Sequence, residues 1–482
     1  MNHHEGDRLM TECSGEQLEF QGLGKRLVVG RFDGGAISSD GGALLLREVE
    51  RRTRIIERLA AQFLDHRNAD LIEHNVRELI GQRVYGLALG YEDLNDHDAL
   101  RHDPLIATAV GKDDPSGQDR VREQDRGKAL ASSSTLNRLE LTPADADSSA
   151  RYKKIVADPA GMDRLLVELF LDAHREAPAQ IWLDLDATDD PVHGQQEGRF
   201  FHGYYGHYCY LPLYIFSGEH VLCARLRRAN IDACEGSVEE LTRIVAQIRA
   251  RWPATRIIIR GDSGFCREAI MAWCEGNGVD YVLGLAKNER LNALSLGARL
   301  QAQKQFLDSE QASRVFAQFR YQTRDSWSRE RRVVVKAEHL AQGANPRYVV
   351  TSLSTEEADA RRLYEDLYCA RGDMENRIKE QQLDLFADRT STQLLRANQI
   401  RLYFSSFAYA LLCALRRLGL KETDLANAQC GTIRVRLLKL GAQVRVSVRR
   451  VWISFSESFP AQGLFLTALR HIQASAALPA AP

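Results

Sequence analysis

The chain has 482 residues, of which 44% are hydrophobic and 27% are charged, and its formal net charge is −1. Its length predicts roughly two to four domains, and its nine cysteines lack the Cys-x-x-Cys spacing of a zinc finger. The longest apolar stretch, Leu402 to Leu415, is too short to span a bilayer, and the N-terminus lacks the apolar segment of a secretory signal, so we expect a cytoplasmic protein outside the membrane.

The first third of the chain is predicted to be a polar tail followed by helices. Residues 1–25 are polar, and apolar residues recur at helical spacing from Asp40 to about Gly111. A charged linker over 113–126 precedes a short helix near Ala129 and a second helix from Met162 to His174. We therefore assign 1–25 to a tail and 26–160 to a mainly helical region.

The middle of the chain has the element order of a ribonuclease H-like core. Three strands, a helix, a strand, a helix and a strand follow one another, at Gln180 to Asp186, Tyr204 to Phe216, His220 to Arg227, Ser237 to Arg251, Arg256 to Arg260, Arg267 to Glu275 and Asp280 to Leu285. The closing helix comes later, at Glu357 to Gln382, after residues that read as further strands. The predicted fold is therefore α/β, a mixed sheet flanked by helices. Its parts are the first part of the core (161–300), a strand-rich insertion (301–356), the closing helices (357–425) and a basic C-terminal region (426–482).

Three carboxylates stand where this core would bring them together. Asp186 and Asp262 each end a short apolar run that reads as a buried strand, and Glu375 lies on the closing helix. Such a set can hold two divalent metals, and a metal pair can cut and join phosphodiester bonds. Strand alternation puts Asp184 on the same face as Asp186, so Asp184 remains an alternative for the first position.

The helix that carries Glu375 places polar and aromatic residues along one face. They recur at spacings of three and four, as Tyr364, Tyr368, Arg371, Glu375, Lys379 and Gln382. A solvated face with ion pairs is one interpretation of this pattern. The other is a row of phosphate-binding residues beside a metal ligand, because Arg can form bidentate hydrogen bonds to phosphate and Tyr can donate one from its hydroxyl.

These blocks resemble bacterial insertion-sequence DDE transposases. Tyr368-x-x-Arg371-x-x-x-Glu375 matches the first three positions of their tyrosine–arginine–glutamate–lysine motif, and the segments around Asp186 and Asp262 look like their first and second aspartates. The run Asp-Asp-Pro191-Val-His-Gly-Gln-Gln-Glu-Gly is similar to the branch called transposase DDE domain group 1. The resemblance covers nearly the whole chain. It departs at Gln382, where the motif has its lysine, and Lys379 on the same helix face is the candidate substitute.

The resemblance implies an activity, a cofactor and partners. It implies cut-and-paste transposition through two Mg²⁺ ions held by Asp186, Asp262 and Glu375, with Mn²⁺ able to substitute, and with Tyr368, Arg371 and Lys379 on the DNA. The DNA would be the terminal inverted repeats of the element and a target, held by a homodimer, with residues 26–160 contributing to binding. Relatives form a DNA hairpin and flip out a base, and Trp327 in the insertion is the candidate to stack on that base. Packing between strands is the alternative role of Trp327.

The C-terminal region carries a second candidate DNA surface. Six positive charges and no acid lie between Arg434 and Arg450, and alternating Arg and Val predicts strands with one cationic face. Its candidate phosphate contacts are Arg434, Arg436, Arg445 and Arg449, although a solvated strand or a subunit contact would show the same pattern.

Two other functions stay open from the sequence. A structure-dependent DNA nuclease would use the same three carboxylates without strand transfer, and terminal inverted repeats around the gene would speak against it. A non-catalytic DNA-binding remnant would not require the carboxylates at all.

Overall fold

The computed structural model describes residues 17–475. Helices dominate the first third of it, as predicted, but a β-hairpin begins in the expected polar tail, with its first strand inside residues 1–25 and its second strand directly after them. The part of that tail before residue 17 lies outside the described residues. The elements are β1 (Leu18–Leu23), β2 (Arg26–Gly30), β3 (Ala36–Ser38), α1 (Ala43–Thr53), α2 (Ile55–Ala60), β4 (Phe63–Asp65), α3 (Val76–Leu89), α4 (Asp96–Leu100), α5 (Pro104–Val110), α6 (Ser133–Leu141), β5 (Ile155–Ala157) and α7 (Pro159–Asp172).

The middle of the chain alternates strands and helices. Its elements are β6 (Gln180–Ala187), β7 (Asp190–Pro191), β8 (Phe200–His202), β9 (His207–Tyr210), β10 (Leu213–Ser217), β11 (His220–Arg225), α8 (Ser237–Arg251), β12 (Arg256–Gly261), α9 (Glu268–Gly276) and β13 (Asp280–Leu285). The single strand predicted from Tyr204 to Phe216 is two strands. Pro212 separates them, because proline has no N–H to donate to a strand ladder.

The predicted insertion contains strands, and two helices that the sequence pattern did not indicate come before them: the first lies ahead of residue 301 and the second spans that predicted boundary. The elements of this part of the chain are α10 (Glu289–Leu294), α11 (Leu296–Ser309), β14 (Ser313–Tyr321), β15 (Arg331–Leu340), β16 (Gly343–Ala344) and β17 (Arg347–Thr351). The strands do not form a separate layer. β17 pairs antiparallel with β13, so they extend the central sheet.

One mixed sheet of nine strands therefore runs through the middle of the molecule. Its order is β11-β10-β6-β12-β13-β17-β15-β14, with β16 beside β15. The strands β6, β12 and β13 are parallel, and β10 runs antiparallel to both of its neighbours. Leu183 and Leu185 of β6 are fully buried on one face of the sheet, whereas Asp184 and Asp186 point to the other.

The last part of the chain is helical and ends in a hairpin and a helix. Its elements are α12 (Ala360–Arg362), α13 (Gly372–Leu385), α14 (Leu395–Gly419), α15 (Cys430–Ile433), β18 (Ala442–Ser447), β19 (Arg450–Phe455) and α16 (Gln462–Ala474). A π-helical segment, Leu363–Tyr368, and a tight 3₁₀ turn, Cys369–Arg371, join α12 to α13. A second π-helical segment, Arg434–Leu438, stands where the first of the basic strands was predicted.

The largest hydrophobic core surrounds α14. Helices α1, α3, α5 and α7, the hairpin strand β18 and helix α16 all contribute side chains to it. β18 also pairs with β3, so the two ends of the chain meet in one small sheet. Leu402 to Leu415 lies inside α14, as the apolar run predicted. Across residues 17–475, no helix combines the length and the apolar character needed to cross a bilayer.

Candidate active site

Asp186 and Asp262 lie at the same edge of the central sheet. β6 and β12 are parallel, with Leu185 opposite Gly261, and the two aspartates follow those residues directly. Asp262 Oδ1 accepts a hydrogen bond of 2.8 Å from the Gly264 N–H, which fixes the carboxylate in the turn that leaves β12. Parallel strands end together, so the pairing brings the two predicted carboxylates to one place.

Glu375 reaches the same place from α13. Arg371, one helical turn earlier, donates to Glu375 Oε1 at 2.6 Å and lies 3.6 Å from Asp186 Oδ2. The guanidinium of Arg371 thus stands between the first and third carboxylates.

These groups line a cleft of about 640 Å³. One wall comes from the sheet edge and α13, and the other comes from the aromatic turn between β8 and β9. The polar and aromatic side chains that line it are Asp186, Asp262, Glu375, Arg371, Lys379, Gln382, His202, Tyr204 and Tyr205.

The electrostatics of the cleft are dominated by negative charge under partial burial. Burial raises the pKa of Asp186 to about 7, the carboxylates of Asp262 and Glu375 add to the shift, and Arg371 opposes it. Burial works against the charge of Arg371, but Asp186 and Glu375 outweigh it and raise the pKa of the guanidinium. A positive charge placed beside Asp186 would therefore relieve an unfavourable interaction.

The donor set suits a divalent cation, although its present geometry does not enclose one. Carboxylate oxygens are the ligands that Mg²⁺ prefers, and a cation would offset the desolvation that raises the pKa of Asp186. Within residues 17–475, no three His, Cys, Asp or Glu side chains lie close enough together to hold a metal ion as they stand. Glu375 is instead turned to Arg371, and exchange of that ion pair would free its carboxylate.

Asp184, the alternative first aspartate, forms a buried ion pair with Arg260. Arg260 lies opposite Asp184 on β12 and binds both of its oxygens, at 2.5 and 2.8 Å. Arg260 also donates to the Leu367 carbonyl at 2.6 Å and stacks on Trp182. The structure thus gives Asp184 a buried ion pair and leaves Asp186 facing the cleft.

The predicted polar face of the closing helix is split by its π-helical segment. Arg371, Glu375, Lys379 and Gln382 line the cleft, but Tyr364 packs against the inserted strands, near Phe316. Tyr368 lies behind the cleft, where burial raises its pKa and the charge of Asp262 adds to that shift. Its hydroxyl would stand 2.5 Å from a Cβ on Gly284, so the absence of a side chain there makes room for the tyrosine.

Gln382, which replaces the motif lysine, has partners of its own. Its amide donates to Asp190 Oδ1 at 2.9 Å and to the Asp189 carbonyl at 3.3 Å. Lys379 is exposed on the cleft side of α13.

Trp327 lies inside the protein rather than on a DNA-facing surface. Its ring is 7% exposed, packs edge-on against Tyr321 and is covered by Arg331. Its backbone is held by Thr323 and Gln322 in the turn between β14 and β15. This burial speaks against a base-stacking role in the present conformation and favours the packing alternative.

The four arginines of the basic C-terminal region differ in their surroundings. Arg434 is not on a strand; it donates to the carbonyls of Leu87, Ala88 and Asp384, and burial lowers its pKa. Arg436 pairs with Asp424 at 2.7 Å. Arg445 on β18 and Arg449 in the hairpin turn are exposed. Only these last two fit the predicted cationic strand surface, because the chain before β18 is helical.

His202, Tyr204 and Tyr205 were missed as site residues by the sequence reasoning. The signal available was the density of aromatic side chains between Phe200 and Tyr210, which was assigned to strands. Tyr204 is 87% exposed, so its ring is free to meet a ligand in the cleft.

Comparison with known proteins gives a family and a distant structural similarity. The family model described as transposase DDE domain group 1 matches residues 20–477. No curated protein matches. Seven chains of solved structures match, among them a cryo-EM structure of the piggyBac transposase synaptic complex with hairpin DNA, at 10% identity, a TM-score of 0.39, and coverage of 82% of this chain and 79% of that one.

Proposed function

The chain belongs to the transposase DDE domain group 1 family, enzymes of DNA transposition and recombination, and we propose that it moves a bacterial insertion sequence by a cut-and-paste reaction. The observation that carries the proposal is that carboxylates from three separate elements line one open cleft. In this proposal Asp186, Asp262 and Glu375 are the catalytic residues, and they hold two Mg²⁺ ions, for which Mn²⁺ can substitute.

Bound divalent cations would make water or a 3′-hydroxyl a stronger nucleophile and would stabilise the charge on the leaving oxygen. The chain's own residues would prepare the DNA for that step. Arg371 lies beside Asp186 and Glu375 and can transfer its hydrogen bonds to a phosphate, while Lys379 supplies a second positive charge. Tyr368 would support Arg371 from behind the cleft.

The proposed core is ribonuclease H-like. Support comes from the strand order β11-β10-β6-β12-β13, in which β10 runs in the opposite direction to β11, β6 and β12. In this arrangement the first aspartate lies near the end of the central strand, the second follows its parallel neighbour, and the third acid comes from a helix packed on the sheet.

The proposed reaction sequence is nicking at the element end, hairpin formation, reopening of the hairpin and joining to target DNA. The partners would be the terminal inverted repeats, the target and a second copy of the chain that holds the other end. Because the substrate would be bacterial DNA, we expect the reaction in the cytoplasm at the nucleoid.

The experiment is incubation of the protein with DNA from the flanks of its own gene, with and without Mg²⁺. The unmodified protein should cut and join this DNA only with the metal. Asp186→Ala, Asp262→Ala and Glu375→Ala should each abolish cutting, while binding of the uncut DNA stays close to normal because most contacts lie elsewhere.

The matched control is Asp373→Ala, which removes an exposed carboxylate one half-turn before Glu375 on the same helix. It should cut normally. Cutting that persists in all three triad variants would overturn the proposed site. Cutting without hairpin or joined product would replace transposition with a nuclease function.

A further inference from the structure

The N-terminal hairpin, formed by β1 and β2, is exposed along its length. Every residue from Leu18 to Val29 is exposed, and within residues 17–475 the two strands form a sheet of their own. A single two-stranded hairpin is at best marginally stable in water, because it has no second layer on which to bury its side chains. This hairpin therefore needs a surface to pack against.

Apolar side chains are concentrated near the turn of the N-terminal hairpin. Leu23 and Leu27, on either side of the turn, are 71% and 85% exposed, and Phe20 is 59% exposed. Gly24 has a φ of 63°, a conformation that a two-residue hairpin turn requires and that glycine adopts without strain. The turn is therefore tight and both leucines lie at the tip, as an exposed apolar patch of the kind that marks an interaction surface.

A pocket near the other end of the chain has a matching apolar interior. It has a volume of about 440 Å³ and lies where β19 ends and α16 begins. The rings of Phe455 and Phe465 pack there with their centroids 5.2 Å apart. The apolar residues that line this Phe455 pocket are Leu440, Phe455, Phe459, Phe465 and Leu466.

The polar groups around the Phe455 pocket bond to each other. The Ser456 hydroxyl lies 2.9 Å from that of Ser458, and the Gln462 side-chain amide donates to the Glu457 carbonyl at 2.5 Å. A polar ligand would therefore find these partners already taken, whereas an apolar side chain would meet the phenylalanine rings. The pocket suits an apolar side chain from a protein.

The charges of the two surfaces are complementary. Lys25 and Arg26 are exposed at the tip of the N-terminal hairpin, and Glu457 is exposed at the border of the Phe455 pocket. None of the described residues that line the pocket is basic. A hairpin tip seated in the pocket would therefore bring two positive charges towards a negative one.

The exposed apolar surface is large enough for a stable interface, which needs about 800 Å² from each partner. Phe20 and Phe32, exposed by 59% and 98%, could together bury roughly 200–400 Å². In a dimer with two-fold symmetry each copy also receives a hairpin, so its pocket adds to the same total. Five more apolar residues of the segment 18–32 are exposed, namely Leu18, Leu23, Leu27, Val28 and Val29.

We propose that two copies of the chain pair before DNA binds, each inserting the Leu23 and Leu27 tip of its N-terminal hairpin into the Phe455 pocket of the other. One chain carries both the protruding surface and the receiving surface, so a two-fold axis forms both contacts at once. The inference rests on the proposed function for its choice of partner, because a reaction on two DNA ends calls for two copies.

The test measures the mass of the full chain in solution by size-exclusion chromatography with light scattering, in EDTA and without DNA. The unmodified protein should be a dimer. Leu23→Ser combined with Leu27→Ser should raise the Kd of the dimer by at least about 100-fold, because each copy loses two buried leucines. Leu466→Ser, on the pocket side, should also raise it. Circular dichroism should show that the variants remain folded.

The matched control is Leu300→Ser, which changes a leucine of α11 that is 55% exposed and should leave the dimer intact. Mixing the double hairpin variant with Leu466→Ser should give a tighter dimer than either forms alone, because one intact hairpin then meets one intact pocket. Lys25→Glu with Arg26→Glu should weaken the dimer, and adding Glu457→Lys to the same chain should restore it.

Two results would overturn the inference and leave the proposed function standing: a monomeric unmodified protein, or a dimer that withstands the double hairpin substitution. Loss of the dimer in Leu300→Ser would also overturn it, by placing the interface on α11. A dimer that behaves as expected, in a protein that does not cut DNA with Mg²⁺, would support the inference and overturn the proposed function.

Discussion

The raised pKa of Asp186 should make the free energy of unfolding depend on pH. Burial raises this pKa from 3.8 to about 7, so between about pH 4 and 7 the folded protein holds a proton that the unfolded chain has released. Stability is therefore lost as the pH rises through this window. In EDTA, Asp186→Asn should raise the free energy of unfolding by on the order of 2 kcal/mol at pH 8, and the gain should vanish towards pH 4.

Urea denaturation at several pH values checks this, with Asp373→Asn as the exposed control. A gain of equal size at pH 4 and pH 8 would contradict a titrating origin. Added Mg²⁺ should stabilise the unmodified protein and have less effect on Asp186→Asn, because the variant has lost one of the proposed metal ligands.

Tyr204 gives a second prediction for a single residue. Its exposed ring lines the cleft, and stacking of an aromatic ring on a base is worth about 1–3 kcal/mol. Tyr204→Ala should weaken binding of a DNA end by about tenfold, whereas Tyr204→Phe should bind normally. Fluorescence anisotropy measures both, and Tyr152→Ala, an exposed tyrosine outside the cleft, is the control. Equal weakening by the Phe variant would assign the contact to the hydroxyl instead.

The choice between Asp184 and Asp186 shows the limit of sequence reasoning for single residues. Alternation correctly put both on one face, but it contains no information about the neighbouring strand. Only the register of β6 against β12 places Arg260 opposite Asp184 and so removes that aspartate from the site. The positions of Asp186 and Asp262 at one sheet edge, in contrast, follow from their places at the ends of two apolar strands.

At the level of structural elements, the burial of Trp327 in the insertion changes the effect that we expect from its substitution. Because the Trp327 ring is packed between Tyr321 and Arg331, Trp327→Ala should lower the free energy of unfolding by about 3–5 kcal/mol. Nicking and hairpin formation should then decline together. Thermal denaturation and time courses of both products test this, with the half-exposed Trp452→Ala as control. Nicked DNA that accumulates without loss of stability would restore the base-stacking role.

Apolar runs bounded by turns predicted the strands β6, β12 and β13 well, because buried strands have that pattern. The prediction was wrong over 433–440, where Arg and Val alternate as in a strand. Ile433, Leu437 and Leu438 also recur at a helical interval, and burial of these three against the main core outweighs the strand preference of Val435. Helices α10 and α11 were not predicted at all, since α11 buries only Ala302 completely.

For the whole molecule, the surface charge of the C-terminal hairpin should contribute to DNA affinity. Arg445 and Arg449 are exposed, so replacing both with Gln should weaken DNA binding and reduce the slope of log affinity against log salt by up to about 2. Titrations at several salt concentrations measure this slope. Arg434→Gln should instead reduce stability, because Arg434 caps the ends of α3 and α13. An unchanged slope in the double variant would assign the hairpin to contacts between protein subunits.

The arrangement of the whole chain was only partly predictable. The order of elements through the central sheet follows from the sequence. The pairing of β3 with β18 does not, because 36–38 and 442–447 are far apart in sequence and neither short strand specifies its partner. Consequently the helical N-terminal region and the basic C-terminal region, which the sequence separates, contribute to one core around α14.

The π-helical segment Leu363–Tyr368 determines how the residues after it are rotated about the helix axis relative to the residues before it. On its N-terminal side Leu363 and Tyr364 are anchored against the inserted strands, and on its C-terminal side Arg371 and Glu375 face the cleft. Each residue of a regular helix turns the chain by roughly 100°, so deletion of one residue here would rotate either Leu363 and Tyr364 away from the inserted strands or Arg371 and Glu375 away from the cleft. Among natural variants of this chain, length changes should therefore be rare between 363 and 371 and tolerated in the hairpin turn at 341–342.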